Sequence, residues 1–415
     1  MLGARGQSVP GPATTVNRRP AFPGGRRVNV SERTILSEPA VSTRVPFVDL
    51  ARGIAVLFMI QGHTLQVLLD PHYAGGPFSN AWLYLRGLTS CTFLFLSGFS
   101  FSLATTPRWA EFRKPGPRVY KRLRRYLLLV VLGYGMRFPA RTLAGLSTLS
   151  AAQWQTFAIV DVLQLIAVSL ALLQVGVWLL ASPRVFMRLA FAASALAAVA
   201  TPFASRVDWA SNGHALLGAW LTTNTGSLFP ALPWAAYVFF GAGLGVWYAG
   251  PRAAPAADDR ARTFLKAGAV MVVVGALLHV LPWSPYGAID FWTLSPNLFL
   301  VKSGSVLLGL SGTIRLMRGI KTLPRLVTAL SRESLLVYLV HVVLLYGSAW
   351  TIGLGQSVGP HLAPASVVGW IAGLLTAMSL LAWTWHECKR QMSSVAVLVR
   401  AVAAVAVLYG LVWPF

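Results

Sequence analysis

Charge is scarce in this sequence. Asp, Glu, Lys and Arg make up 11% of its 415 residues, against about 25% in soluble globular chains, which excludes that class. Cysteine is nearly missing: Cys91 lies in an apolar run and Cys388 stands beside Lys389 and Arg390. Two cysteines so placed supply neither a metal-ligand spacing nor a disulfide framework, and no metal site is expected. No internal repeat is visible, and no hydropathy symmetry of the kind that marks inverted transporter halves. Residues 1–45 contain no apolar stretch able to serve as a signal-peptide core.

Apolar residues, by contrast, are abundant. They make up 55% of the chain, the mean hydropathy is +0.62, and there are 15 Trp, a residue that anchors helix ends at water–lipid interfaces. A span needs about 20 mostly apolar residues. Eleven stretches qualify: 47–69, 82–104, 120–138, 156–181, 184–203, 228–249, 263–283, 297–317, 333–353, 365–385 and 394–414. The eighth is the weakest, because Lys302 and several Gly and Ser interrupt it. The expected fold is an all-α polytopic membrane protein of about 11 (10–11) transmembrane helices, spanning residues 46–415.

Basic residues number 35 and acidic ones 12, a net charge of +23. In a soluble protein that balance would suggest nucleic acid. Here 29 of the 35 fall in the tail and in alternate loops, which is the positive-inside pattern, so no nucleic-acid partner is expected. The same alternation predicts a cytoplasmic N-terminus and an outside C-terminus. Residues 1–45, rich in Arg, Pro, Gly and Ser, read as a disordered basic cytoplasmic tail, either inert or touching anionic lipid head groups. The lack of a signal-peptide core suits the cytoplasmic (inner) membrane of a bacterium.

The first span reads DLARGIAVLFMIQGH over residues 49–63. Arg52 and His63 are eleven residues apart, about 1100° of helix and about 16 Å of rise, so they share one face. Asp49 stands one turn before Arg52, where it can pair with it and lower its cost in lipid. His63 falls in the outer half of the bilayer. An ionisable residue inside a span is a candidate functional group, and imidazole titrates near neutral pH, so His63 reads as a proton carrier or base.

RVPFVDLARGIAVLFMIQGHTLQVLL resembles the opening helix of the bacterial relatives of heparan-alpha-glucosaminide N-acetyltransferase. CTFLFLSGFSFSLA resembles their second-span signature, and IVDVLQLIAVSL, FPALPWAAYVFFGAGLG and SRESLLVYLVHVVLLYG resemble later landmarks. The similarity covers most of residues 44–350. The Arg–His spacing is also similar to that of the acyltransferase-3 family. The resemblance implies an acyltransferase that takes an acyl group, acetyl above all, from cytoplasmic acyl-CoA as co-substrate and delivers it to a sugar or glycan hydroxyl or amine on the far side. No permanently bound cofactor is implied. His63 matches the first-helix histidine, and His72, in DPHYAGG, is the nearest match to a catalytic histidine placed in the loop after that helix. Arg122 and Arg125, with RxxR spacing, resemble an inner arginine motif and are the expected CoA contacts. Cys91-Thr92 stands where relatives often have a proline.

The remaining buried polar groups need partners. Asp161 and Gln164 face the bundle interior, and Asp161 either orients His63 or pairs structurally with Arg86 or Lys302. Glu333 benefits from the positive end of the ninth helix. His341 either lines the reaction channel or is a core histidine bonded to a neighbouring helix. Arg137 and Arg141 go against the charge rule, which suggests a clamp for an anionic acceptor or donor group. The rival function is a proton-coupled transporter or carrier of a sugar or lipid-linked substrate, using the same groups as a relay. The lipid bilayer is an obligate partner in either case, and a homodimer stays open.

Overall fold

Proline punctuates this chain. Pro46, Pro117, Pro183, Pro296 and Pro364 each open a long helix, where the missing N–H is one of the donors a helix end leaves unpaired anyway. The computed structural model describes residues 45–250, 257–281, 284–287, 289–320 and 322–413. They belong to one compact unit. Apart from Val45, the basic tail expected over residues 1–45 lies outside the described residues.

The helices that build the fold are α1 (Pro46–Leu68), α2 (Gly76–Thr105), α3 (Pro117–Met136), α4 (Val162–Leu179), α5 (Pro183–Ala204) and α6 (Ala231–Ala249). They continue as α7 (Ala257–Val280), α8 (Pro296–Leu316), α9 (Arg325–Arg332), α10 (Ser334–Tyr346), α11 (Pro364–Gln391) and α12 (Ser393–Val412). The described residues contain no named strand, only an isolated bridge between Leu69 and Leu362. This is an all-α polytopic membrane protein.

Each of the eleven expected stretches contains a helix, but not every one has the composition of a span. Among the described residues eight long helices are apolar enough to cross a membrane, or nine if α9 and α10, bent by 72° at Glu333, form one broken span. The helix at 297–317, the weakest by sequence, is among the eight. α1 and α3 are long enough at 23 and 20 residues. Their apolar content is diluted by Arg52, Gln61, His63 and Gln66 on α1 and by five basic residues on the first half of α3. The stretch expected at 156–181 starts late. Asp161 accepts a hydrogen bond from the Val162 N–H and so begins the helix there. The stretch expected at 333–353 yields only the 13 residues of α10, because the chain turns sharply before it and Gly347 (φ +80°) ends it.

α1 lies at the centre, packed on α2 and α8 on one side and on α9, α10 and α11 on the other. Small residues bring α2 and α6 into backbone contact. A Cβ at Gly98 would overlap the Val238 carbonyl, and one at Gly241 would overlap the Phe95 carbonyl. Phe95, Phe99, Phe47, Tyr248 and Phe264 close around this seam with ring centroids 5.5–6.5 Å apart. Gly241→Ala should therefore cost about 2 kcal/mol of stability by overpacking. Gly135→Ala, where nothing lies within 4 Å, should be neutral or stabilising. Thermal denaturation of the detergent-solubilised variants checks both, and equal midpoints would sink the close-packing argument.

Candidate active site

One face of α1 opens on a cavity. Val45, Asp49, Arg52, Met59, His63 and Gln66 line a cavity of about 1750 Å³, and their 21-residue extent corresponds to about 30 Å of helix. The period of three and four residues is that of a single helix face. Matching polar faces of α2, α3, α10 and α11 form the other walls.

At the α1 N-terminal end the wall is basic. Arg52 pairs with Asp49 at 3.5 Å and donates to the Ser100 hydroxyl at 3.1 Å. The Ser331 hydroxyl donates to Asp49 at 2.9 Å. Arg122 donates to the Thr105 hydroxyl at 2.8 Å and lies over the Phe112 ring at 3.7 Å, which fixes its guanidinium. Arg125 is one turn further along α3 and also lines the cavity. Arg332, Lys389 and Arg390 add three cations from the last third of the chain.

Glu333, at the α9–α10 bend, is 5% exposed and takes Lys389 at 2.6 Å and His386 at 3.3 Å. The positive helix end expected to hold this carboxylate is thus supplemented by two side chains of α11. Those residues had been read only as loop charge. The signal for them was the cluster HECKR closing an apolar run, opposite the lone acid in SRESLL.

At the α1 C-terminal end stands a pair of histidines. His63 Nδ1 and His341 Nε2 are 2.9 Å apart, with the rings stacked at 5.2 Å and only 8° between planes. His341 is fully buried, and its Nδ1 is 2.7 Å from the Val337 carbonyl oxygen. A carbonyl only accepts, so His341 carries its proton on Nδ1 and, when neutral, offers a lone pair at Nε2. His63 then donates from Nδ1, and its own Nε2 keeps a lone pair with no partner among the described residues. One backbone carbonyl thereby sets the tautomer of both rings. His341 is the bonded core histidine of the two readings; it sits behind His63 rather than on the cavity wall. The Tyr346 ring stands edge-on to His63 at 5.9 Å.

His72 is elsewhere. It occupies an exposed 3₁₀ turn, Pro71–Tyr73, where its backbone N–H donates to Asp70 at 2.8 Å, and it is not among the cavity-lining residues. Asp161 pairs neither with Arg86 nor with Lys302. Its partner is Arg137, at 3.0 Å, and both side chains line the cavity. The backbone carbonyl of Arg141 accepts a hydrogen bond from the Trp350 indole at 2.9 Å. Gln164 is buried against Gly133 of α3, with neither end of its amide hydrogen-bonded.

The fold and site define a polytopic membrane protein with a charged cavity along its central helix and a bonded pair of histidines at one end. Residues 44–276 match the family described as heparan-alpha-glucosaminide N-acetyltransferase, catalytic, and the chain belongs to that family. No curated protein matches it. The match takes in His63, Arg122, Arg125, Arg137 and Asp161, while His341, Glu333 and Lys389 lie beyond it.

Proposed function

We propose that this protein transfers an acyl group, acetyl in the first instance, from cytoplasmic acyl-CoA to a hydroxyl or amine of a sugar or glycan on the opposite side of a bacterial cytoplasmic membrane. The observation that carries the reading is the cavity itself. A cluster of cations from several helices and an imidazole with a free lone pair line one cavity, with Arg52 and His63 both on the α1 wall.

Phosphate groups favour guanidinium forks. Arg122, Arg125, Arg332 and Lys389 suit the nucleotide of acyl-CoA, and the positive-inside pattern puts that end in the cytoplasm. The pantetheine arm would lie along the Met59 stretch and present its thioester near His63. His63 Nε2 then takes the proton of the attacking hydroxyl or amine, and returns a proton to the CoA thiolate as it leaves. His341 holds the ring for this task. Acyl-CoA is a co-substrate in this scheme, the bilayer is the solvent, and self-association is compatible with it.

The test is calorimetric. The purified full chain should bind acetyl-CoA, and Arg122→Gln with Arg125→Gln should weaken that binding by about 100-fold, the loss of two charge-assisted contacts. A wild type that binds no acyl-CoA would remove the acyltransferase reading and leave a carrier of sugar in its place.

A further inference from the structure

A guanidinium sits beside the histidine pair with no carboxylate to balance it. The stem of Arg86, from α2, crosses α1 at Gly62: a Cβ there would come within 2.7 Å of Arg86 Cγ and 3.1 Å of its Cδ. Glycine immediately before His63 is therefore what lets Arg86 lie against α1 at the level of the base. Its guanidinium stands 5.6 Å over the Trp82 ring, and Arg86 and Gly87 both line the cavity. Among the described residues no ion pair reaches it. Asp161, the nearest candidate by sequence, is held by Arg137. A second cation, Lys302 from α8, lies 3.6 Å from where a Gly87 Cβ would stand and 6.0 Å from the Trp234 ring centre, and it too makes no ion pair.

A half-buried cation on the cavity wall, with no carboxylate paired to it among the described residues, is placed to receive negative charge from a bound substrate. Acyl transfer supplies such charge. When the acceptor oxygen or nitrogen attacks the thioester carbonyl carbon, the carbonyl π pair moves to oxygen and an oxyanion forms. His63 Nε2 holds the acceptor's proton. On collapse the oxyanion re-forms the carbonyl, the C–S bond breaks, and the thiolate takes the proton back from His63. We propose that Arg86 is the oxyanion donor of this reaction, placed by Gly62 and reinforced by the charge of Lys302. The assignment rests on the acyltransferase reading above and adds to it a catalytic residue on a second helix. Arg86 is charged before the substrate arrives, so it stabilises the oxyanion without reorganisation at the moment of reaction.

The experiment compares wild type, Arg86→Gln, Arg86→Lys and Gly62→Ala as purified full chains, with acetyl-CoA as donor and glucosamine or water as acceptor. Binding of S-ethyl-CoA, a thioether with no carbonyl, measures donor affinity by itself. Arg86→Gln should lower kcat by about 10²–10³-fold for both acceptors, with S-ethyl-CoA affinity and acceptor KM within about threefold of wild type. Arg86→Lys should retain part of the rate, since charge remains but the fork is lost. Gly62→Ala leaves Arg86 in the chain but pushes its stem off α1, so kcat should fall with donor binding intact. This second route keeps the assignment testable if Arg86→Gln misfolds.

Unchanged kcat in Arg86→Gln overturns the assignment while leaving the acyltransferase reading in place. So does a loss confined to acceptor KM, which would make Arg86 a receptor for a permanent anionic group of the acceptor. So does an equal loss of S-ethyl-CoA binding. A wild type that neither binds acetyl-CoA nor consumes it overturns the reading and the assignment together.

Discussion

In the proposed reaction, replacing His63 by alanine should lower acyl transfer by about 10³-fold, within the range a positioned general base contributes, while acetyl-CoA binding should stay within about threefold of wild type. The asymmetry follows from where the groups stand. The cations expected to hold the donor's phosphates, Arg122 and Arg125, line the opposite end of the cavity from His63. His63 makes its single hydrogen bond to His341 and presents Nε2 to the lumen. Removing the imidazole deletes the proton acceptor but no donor contact.

His341→Ala belongs to the same expectation. With Val337 holding its Nδ1, His341 offers only an acceptor to His63. Without it the His63 ring can flip and adopt the other tautomer, and kcat should fall by about 10²-fold with KM little changed. His341→Gln, whose amide oxygen can still accept from His63, should recover part of the rate. Steady-state kinetics on the four proteins decide the matter. If His63→Ala turned over at the wild-type rate, the base would have to be sought elsewhere in the cavity.

The largest effect on stability is expected at the other end. Lys389→Ala removes the ammonium 2.6 Å from Glu333, a carboxylate only 5% exposed at the bend between α9 and α10. His386, at 3.3 Å, balances it only when protonated. A buried charge stripped of its partner costs about 3 kcal/mol or more. Lys389 keeps 36% of its side chain exposed, so the pair is partly screened and the figure belongs at the low end. Glu333→Gln combined with Lys389→Met removes both charges and leaves no orphan, so it should restore most of the loss. Thermal unfolding of the wild type and the two variants in one detergent gives the comparison. A double variant as unstable as Lys389→Ala would show that the bend depends on something other than this pair.

Much of the architecture was open to a reader of the sequence. A helix in lipid must satisfy its own backbone, so apolar length reports helices directly, and each of the eleven expected stretches contains one. The shared face of Asp49, Arg52 and His63 also followed from helical period alone, and all three line one cavity. Helix ends were less legible. α4 begins at Asp161 and α10 stops at Tyr346 because of one cap and one glycine, which hydropathy does not register.

Pairings between distant helices were the least legible. Sequence position offered Asp161 two cations, Arg86 and Lys302, or His63 to orient, and it bonds instead to Arg137, two dozen residues upstream. His72, six residues beyond Gln66 at the end of α1's cavity-lining face, lies in an exposed turn and does not line the cavity. Lys389 and His386 looked like loop charge until α11 was seen to pack on α9 and α10.

By itself, then, the sequence determined an all-α membrane protein, its helices, the polar face of α1 and the two ends of the cavity. Each of these depends on local periodicity and on the cost of burying polar groups in lipid. The tertiary structure alone decided which charge meets which. His63 and His341 are 278 positions apart, yet their tautomers are set together by one backbone carbonyl. Asp161 meets Arg137, and Arg86 has no carboxylate in an ion pair with it among the described residues. Helix order and packing angle place such groups within an ångström-scale reach, and neither quantity is written in the residues of any one helix.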